Sequence, residues 1–310
     1  MHKNDNDGWL EKFKSHLIKQ DMAERTISGY LYDLKVFKSW IDDFYQQEIN
    51  FAQVTTNDLR AYREYLIKFK RHKASSINRP IQAIKRFFGW LIKSTKNTME
   101  HPAKNIRFMR TGKRMQPTVL TRKEIHGLLT VAGQSPHGLA KRNYALIQLM
   151  LQSGMRIGEV VQLQKHDLVL QERSGYVKVV DGKGHKFREI PLNAAVRNAL
   201  NKYFETRGDM SPEDRVFIGK RGTPQTIRGI QKILQSVARR ANITRIPVSA
   251  HTLRHTFATN YLNANPGALV ALATLLGHDS LNTTAIYTRA SREDLSESVE
   301  KSDLNLQGSE

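Results

Sequence analysis

The 310-residue sequence contains no cysteine. A disulfide framework, a thiolate metal site and a cysteine nucleophile are therefore excluded. The same absence fits a reducing compartment, so a cytoplasmic protein is expected. No apolar run is long enough to span a bilayer, and neither a signal peptide nor a lipidation motif is seen. A membrane partner is not expected. Acid is scarce as well: 29 Asp and Glu stand against 49 Lys and Arg, a formal charge of +20. An excess of that size argues against a cationic partner and for a polyanion.

The charge is unevenly placed. Residues 1–50 hold slightly more acid than base, whereas residues 51–123 hold 18 Lys and Arg against three acids. That zone points to a nucleic-acid contact. Its candidates are Arg60, Arg63, Lys70, Arg71, Lys73, Arg79, Lys85 and Arg86, followed by Lys113 and Arg114. From Glu293 to Glu310 the sign reverses, so the tail is expected to face something else.

Apolar periodicity organises the chain into two parts. Residues 1–101 read as a small helical domain of four helices. The first carries Trp9, Phe13 and Leu17; the second has Thr26 as its N-cap; the third starts at Thr55; the fourth starts at Ser75 or Ser76 and carries Ile77, Ile81, Ile84, Phe88 and Leu91. The aromatic residues recur at core spacing and are not read as base-stacking platforms. Residues 102–118 contain Pro102, Gly112 and Pro117 among five cations and no acid, and read as a basic linker that tracks phosphates. Residues 119–310 form a second domain. It opens on the capping box Thr121-Arg-Lys-Glu124 and holds an apolar helix ended by Ser153-Gly154. Two short strands then flank the turn Asp181-Gly-Lys-Gly-His-Lys186, and helices resume near Asn193, Gln225 and His251. The fold class is mainly α with a small antiparallel β element.

Four short elements of the second domain hold residue types that suit an anion. In Ala250-His-Thr-Leu-Arg-His255, residues His251, Arg254 and His255 share one helix face at spacings i, i+3 and i+4. Arg156, in Gly154-Met-Arg-Ile-Gly-Glu159, sits between two helices, where backbone N–H groups help to bind anions. Lys183 lies between two glycines in the turn. Leu275-Leu-Gly-His278 precedes Tyr287 by nine residues. Each element alone has an ordinary explanation: a helix-end cation, a turn lysine, a histidine at a helix C-terminus, a core tyrosine. His251 and His255 have the i, i+4 spacing of a zinc hydrolase but lack its intervening glutamate, so no metal site and no cofactor are expected.

Taken together and in this order, the four elements resemble the tyrosine recombinase, or phage integrase, family, specifically its short Xer-like and transposon-resolvase-like members. The resemblance covers the catalytic half at the family's spacing, and more loosely the first half, as a helical core-binding domain joined to a mixed α/β catalytic domain. It implies Arg156, Lys183, His251, Arg254, His278 and Tyr287 as the catalytic set, with Tyr287 as nucleophile. Glu159 is implied to orient an arginine or a histidine, and His255 to be mostly structural. The chemistry suits the residue types. Two arginines offer forked donors to the nonbridging oxygens of a phosphodiester. Two histidines handle protons near neutral pH. A phenol attacks phosphorus and stores the bond energy covalently, so no ATP is needed.

The resemblance further implies a 3′-phosphotyrosyl intermediate and strand exchange through a Holliday junction. Double-stranded DNA with an inverted-repeat core site is the implied partner. A dimer would occupy each site, a tetramer would form the synapse, and the C-terminal tail would dock on a neighbouring protomer. Accessory proteins stay open, as does the choice between integration or excision and the resolution of dimers or cointegrates. A type IB-like topoisomerase and a non-catalytic DNA-binding regulator are the alternatives. The charge distribution makes a first prediction. Measured by fluorescence anisotropy, affinity for duplex DNA should fall by roughly 10³-fold or more between 50 and 200 mM salt, as several phosphate contacts require. A flat profile would remove the phosphate reading of the basic zone.

Overall fold

The computed structural model describes residues 6–95, 100–110, 118–136, 138–180, 187–278 and 281–287. The chain divides into two compact units, Met1–Arg114 and Met115–Glu310.

The first unit is built from four helices, α1 (Asn6–Lys19), α2 (Glu24–Tyr45), α3 (Thr56–Lys68) and α4 (Ala74–Thr95). Their apolar stripes meet in one core. Phe13, Phe51, Phe87 and Phe88 are fully buried, and the Phe13 ring meets that of Phe87 edge-on at 5.3 Å. Each such side chain contributes roughly 1.5–3 kcal/mol by leaving water. Polar groups fix the ends. The buried Asn6 amide donates to the Ile49 carbonyl and accepts from the Phe51 N–H. Thr55 and Asp58 form the reciprocal cap of α3. Helix α2 begins three residues earlier than its Thr26 signal, at an Ala23 N-cap with no side-chain bond. Ile27 is buried at this end of the helix.

The sequence placed residues 102–118 in a linker, and the structure divides that segment. Ala103 and Ile106 are buried in the core of the first unit. The Asn78 amide donates to the Met109 carbonyl and accepts from the Met109 N–H. Residues 102–110 thus complete the helical unit, leaving Lys104, Arg107 and Arg110 exposed. Residues 111–117, including Lys113 and Arg114, lie outside the described residues.

In the second unit the nearly all-buried helix α6 (Ala140–Ser153) is the central post. Helices α5 (Arg122–Gly133), α8 (Ala194–Phe204) and α10 (Ala250–Ala264) pack around it. The short α7 (Ile157–Gln162) follows α6 and touches α9 (Ile227–Arg240). An antiparallel sheet of β1 (Leu168–Leu170), β2 (Gly175–Val180) and β3 (Phe187–Pro191) runs in the order β1-β2-β3. Strand β1 has no clear sequence signal because three residues cannot display a period. In β3, Arg188 and Ile190 face inward and Phe187 outward, with Arg188 opposite Val179. Last come α11 (Leu269–Leu276), α12 (Leu281–Thr284) and a 3-10 turn, Ala285–Tyr287.

Gly154 ends α6 in the left-handed region at φ 62°. A Cβ there would lie 2.4 Å from the Phe257 ring and 2.9 Å from Leu276. Gly154→Ala is therefore expected to cost about 2–4 kcal/mol from strain and overpacking, read as a lowered urea midpoint. An unchanged midpoint would mean that α10 and α11 do not close over this turn.

Candidate active site

The site is assembled around the C-terminus of α11. A helix end exposes carbonyls with no intrahelical partner and carries the negative pole of the helix dipole. Here three successive carbonyls each accept from a different arginine. Arg188 Nε donates to Leu275 O at 3.0 Å, Arg254 Nη2 to Leu276 O at 2.7 Å, and Arg156 Nη2 to Gly277 O at 2.6 Å. Gly277 permits this convergence. It turns the chain at φ 63°, and a Cβ on it would lie 2.9 Å from the Arg188 guanidinium.

Each arginine is delivered by a different element. Arg156 is the N-cap residue of α7, Arg188 projects inward from β3, and Arg254 lies in the first turns of α10. Glu159 joins two of them. Its Oε1 accepts from Arg156 Nη1 at 2.9 Å, and its Oε2 accepts from Arg188 Nη2 at 2.8 Å and from the Arg156 N–H at 2.7 Å. Arg254 is buried and also donates to Gly154 O at 2.6 Å. Burial, and next the neighbouring Arg156 charge, lower its pKa to about 10. Among the described residues, three guanidiniums thus surround one carboxylate. The excess positive charge is held by backbone dipoles and suits an anion.

The histidines and the tyrosine extend the cluster. Arg254 Nη2 lies 2.9 Å from His278 Nε2. Because arginine only donates, His278 accepts at Nε2 and donates from Nδ1 to the buried Thr284 hydroxyl at 2.8 Å. The Tyr287 hydroxyl lies 2.5 Å from His255 Nδ1. Burial raises the tyrosine pKa while Arg254 pulls it down, and burial lowers that of His255 with help from His251 and Arg254. Both shifts favour uncharged forms, so the phenol donates and the ring accepts. Tyr287 packs half-buried against the small cluster of Ala258, Leu262, Leu272 and Leu276.

Of the residues named from sequence, Arg156, Glu159, Arg254, His255, His278 and Tyr287 meet in this way. His251 is exposed, and its ring stacks 6.4 Å from that of His255. Lys183 and the tail after Tyr287 lie outside the described residues, as does the Asp279-Ser280 cap. Among the described residues no group of three His, Asp or Glu is arranged to hold a metal ion. The DNA-contact candidates that are described sit on α3 (Arg60, Arg63), in the turn after it (Lys70, Arg71, Lys73) and on α4 (Arg79, Lys85, Arg86). Arg63 and Lys85 are half-buried and the other six exposed. Two contributors were not anticipated. Arg188 lies between the exposed Phe187 and Glu189, and the inward phase of its strand is its one sequence signal. Thr284 gives none.

Residues 118–294 match the phage integrase family, and residues 10–95 match its N-terminal SAM-like domain. The chain belongs to the phage integrase family. It is 31% identical to tyrosine recombinase XerD of Halalkalibacterium halodurans, covering 89% of this chain and 90% of that one. It is 30% identical to tyrosine recombinase XerC of Pediococcus pentosaceus, covering 94% and 96%. Among solved structures, the XerA recombinase aligns at 26% identity with a TM-score of 0.52, covering 96% of this chain and 99% of that one. The XerH site-specific recombinase bound to its difH substrate, in a pre-cleavage complex, shares the fold with a TM-score of 0.73 at 22% identity, covering 94% and 83%. Among the described residues no helix is long and apolar enough to cross a membrane.

Two measurements check the geometry of this family member. Arg188→Gln leaves Glu159 Oε2 short of a charged partner in a mostly buried place. It is expected to cost about 3 kcal/mol in urea unfolding, and a loss below 0.5 kcal/mol would mean the pair is not formed. His255 has its pKa lowered by burial. Its contribution to stability is therefore full above the unfolded value near 6.5 and is lost as pH falls below it. The unfolding midpoint of His255→Gln should accordingly depend less on pH between 7 and 5 than that of the natural chain.

Proposed function

We propose that the chain is a site-specific recombinase that cuts and rejoins duplex DNA through a 3′-phosphotyrosyl intermediate. The observation that carries this reading is the convergence of Arg156, Arg254, His278 and Tyr287 at the end of α11, with more guanidinium than carboxylate. Membership of a family whose named relatives are tyrosine recombinases supports it. Neither the topoisomerase nor the regulator alternative gains support from these relatives.

In this reading Arg156 and Arg254 bind the nonbridging oxygens and take up the charge that develops on them during attack. His278, held by Thr284 through Nδ1, accepts from Arg254 and so orients that guanidinium for the same phosphate. The Tyr287 oxygen attacks phosphorus and the bond from phosphorus to the 5′-oxygen breaks. The phenolic proton passes to a histidine, and His255 Nδ1 is the acceptor in contact with it. Lys183 gives a proton to the leaving 5′-oxygen. Rejoining reverses these steps when a new 5′-hydroxyl attacks the phosphotyrosine, so the bond energy is conserved without ATP. His251 lies one turn from His255 and completes the catalytic set. Arg188 acts through Glu159 and the α11 carbonyls, holding Arg156 and strand β3 in position. The basic residues of the first unit, with Lys113 and Arg114, supply phosphate contacts. Two protomers occupy an inverted-repeat core site and four form the synapse, where strands exchange through a Holliday junction. The tail after Tyr287 docks on a neighbouring protomer, and the cytoplasm is the compartment of action.

Incubation with a nicked core-site duplex should yield a covalent protein–DNA adduct that resists denaturation. Tyr287→Phe should abolish the adduct while binding persists; an adduct that survives would exclude Tyr287 as nucleophile. Lys183→Ala should slow cleavage far more than binding, and a 5′-bridging sulfur at the scissile phosphate should restore it, because sulfur leaves without a proton. Absence of that rescue would exclude Lys183 as the acid.

A further inference from the structure

Among the described DNA-contact candidates, Arg79 has a partner of a different kind. Its Nη2 lies 2.6 Å from Oδ1 of Asp33 on α2. The Asp33 side chain is only 4% exposed, while that of Arg79 is 59% exposed. Other candidates rest on neutral groups: Arg60 on the Asn57 amide oxygen, Arg63 on the Arg107 carbonyl, Arg86 on the Gln20 amide oxygen. Lys70 and Lys85 lie over the rings of Tyr65 and Phe108. Those contacts leave the full charge available to a phosphate. The carboxylate at Arg79 does not.

A phosphate contact depends on charge and tolerates a loose geometry. Cancelling part of that charge with a buried acid is a poor arrangement for it, and the acid itself is costly. Asp33 Oδ2 is buried without a hydrogen-bond partner among the described residues. Burial pushes the carboxyl pKa up against the pull of Arg79. What the pair does provide is direction. One guanidinium nitrogen is tied to Asp33, which restricts the planar fork of a side chain that stays 59% exposed. A fixed fork is what the edge of a base requires.

The surroundings suit a base edge as well. Helix α4 buries one face and exposes Ser75, Arg79, Gln82, Arg86 and Lys93 along the other, a stripe with no acid. A single helix fits the major groove of B-DNA. Beside Arg79 lies a cavity of about 450 Å³ whose walls include Tyr32, His72, Ser75 and Ser76, all able to donate or accept hydrogen bonds.

We propose that Arg79, held in plane by Asp33, is a sequence-reading residue: α4 lies in the major groove and Arg79 donates to O6 and N7 of one guanine. The proposal rests on the recombinase reading above and adds where specificity resides in the first unit.

The test selects duplexes with the full-length protein from a randomised double-stranded library. The enriched duplex and each of its single base-pair replacements are then bound to the natural chain, R79A, R79K and D33N at two salt concentrations. The natural chain should lose roughly 10- to 100-fold at one G·C position, the range of a good bidentate contact. R79A and R79K should lose that preference while their affinity for already replaced duplexes stays within about twofold and the salt slope stays unchanged. D33N should bind with a weaker preference at the same position, and R79K carries the test if D33N does not fold. A uniform loss across all duplexes with a shallower salt slope in R79A would make Arg79 a phosphate contact and overturn the proposal. An unchanged preference profile would leave the pair as a tie between α2 and α4, and would overturn it too. Failure of the natural chain to enrich any duplex would instead refute the recombinase reading itself, before any variant is compared.

Discussion

Three carbonyl oxygens at the end of one helix hold the site together. Leu275, Leu276 and Gly277 each present a carbonyl, and each is taken by an arginine from a different part of the second unit. Cations do not gather without reason. Here the helix end supplies partial negative charge, and among the described residues Glu159 supplies the one full negative charge in the cluster. Backbone oxygens orient the guanidiniums without neutralising them. An array of carboxylates would have fixed the same geometry and left no attraction for a phosphate.

The same economy governs the phenol. Burial favours the protonated oxygen and Arg254 favours the ionised one, with burial the larger effect. Tyr287 is therefore a poor nucleophile at rest, with its proton directed to a histidine that burial has itself made a poor base. Its reactivity depends on what else enters the site. In the proposed reaction this ties the covalent step to an occupied phosphate position, where the arginines act most strongly in a water-poor setting.

Much of this was legible in the sequence, and the gaps have physical causes. The helices of both units follow from apolar spacing, and Thr55, Thr121 and Asn193 cap them as their chemistry suggests. The clustering of Arg156, Glu159, Arg254, His278 and Tyr287 was inferred from order and spacing, through a resemblance rather than from periodicity. Arg188 was not visible because a charged residue between a phenylalanine and a glutamate reads as solvent-facing. Only the strand phase, set by the pairing of β2 with β3, turns it inward and leaves Phe187 outside. Residues 102–110 read as linker because their cations are conspicuous, whereas Ala103 and Ile106, which pack into the core of the first unit, are two small signals among them. Arg79 was one cation among many, since its distinction lies in Asp33, 46 positions earlier.

The arginines grip peptide oxygens rather than side chains, and this bears on how the chain can drift over generations. Replacements at 275 or 276 that still fill the core leave the gripped atoms in place, so those identities answer to packing alone. Position 277 has no such latitude, because both its backbone turn and the guanidinium beside it demand the absence of a Cβ. A gene under selection for this chemistry would then hold one glycine fixed while its apolar neighbours wander.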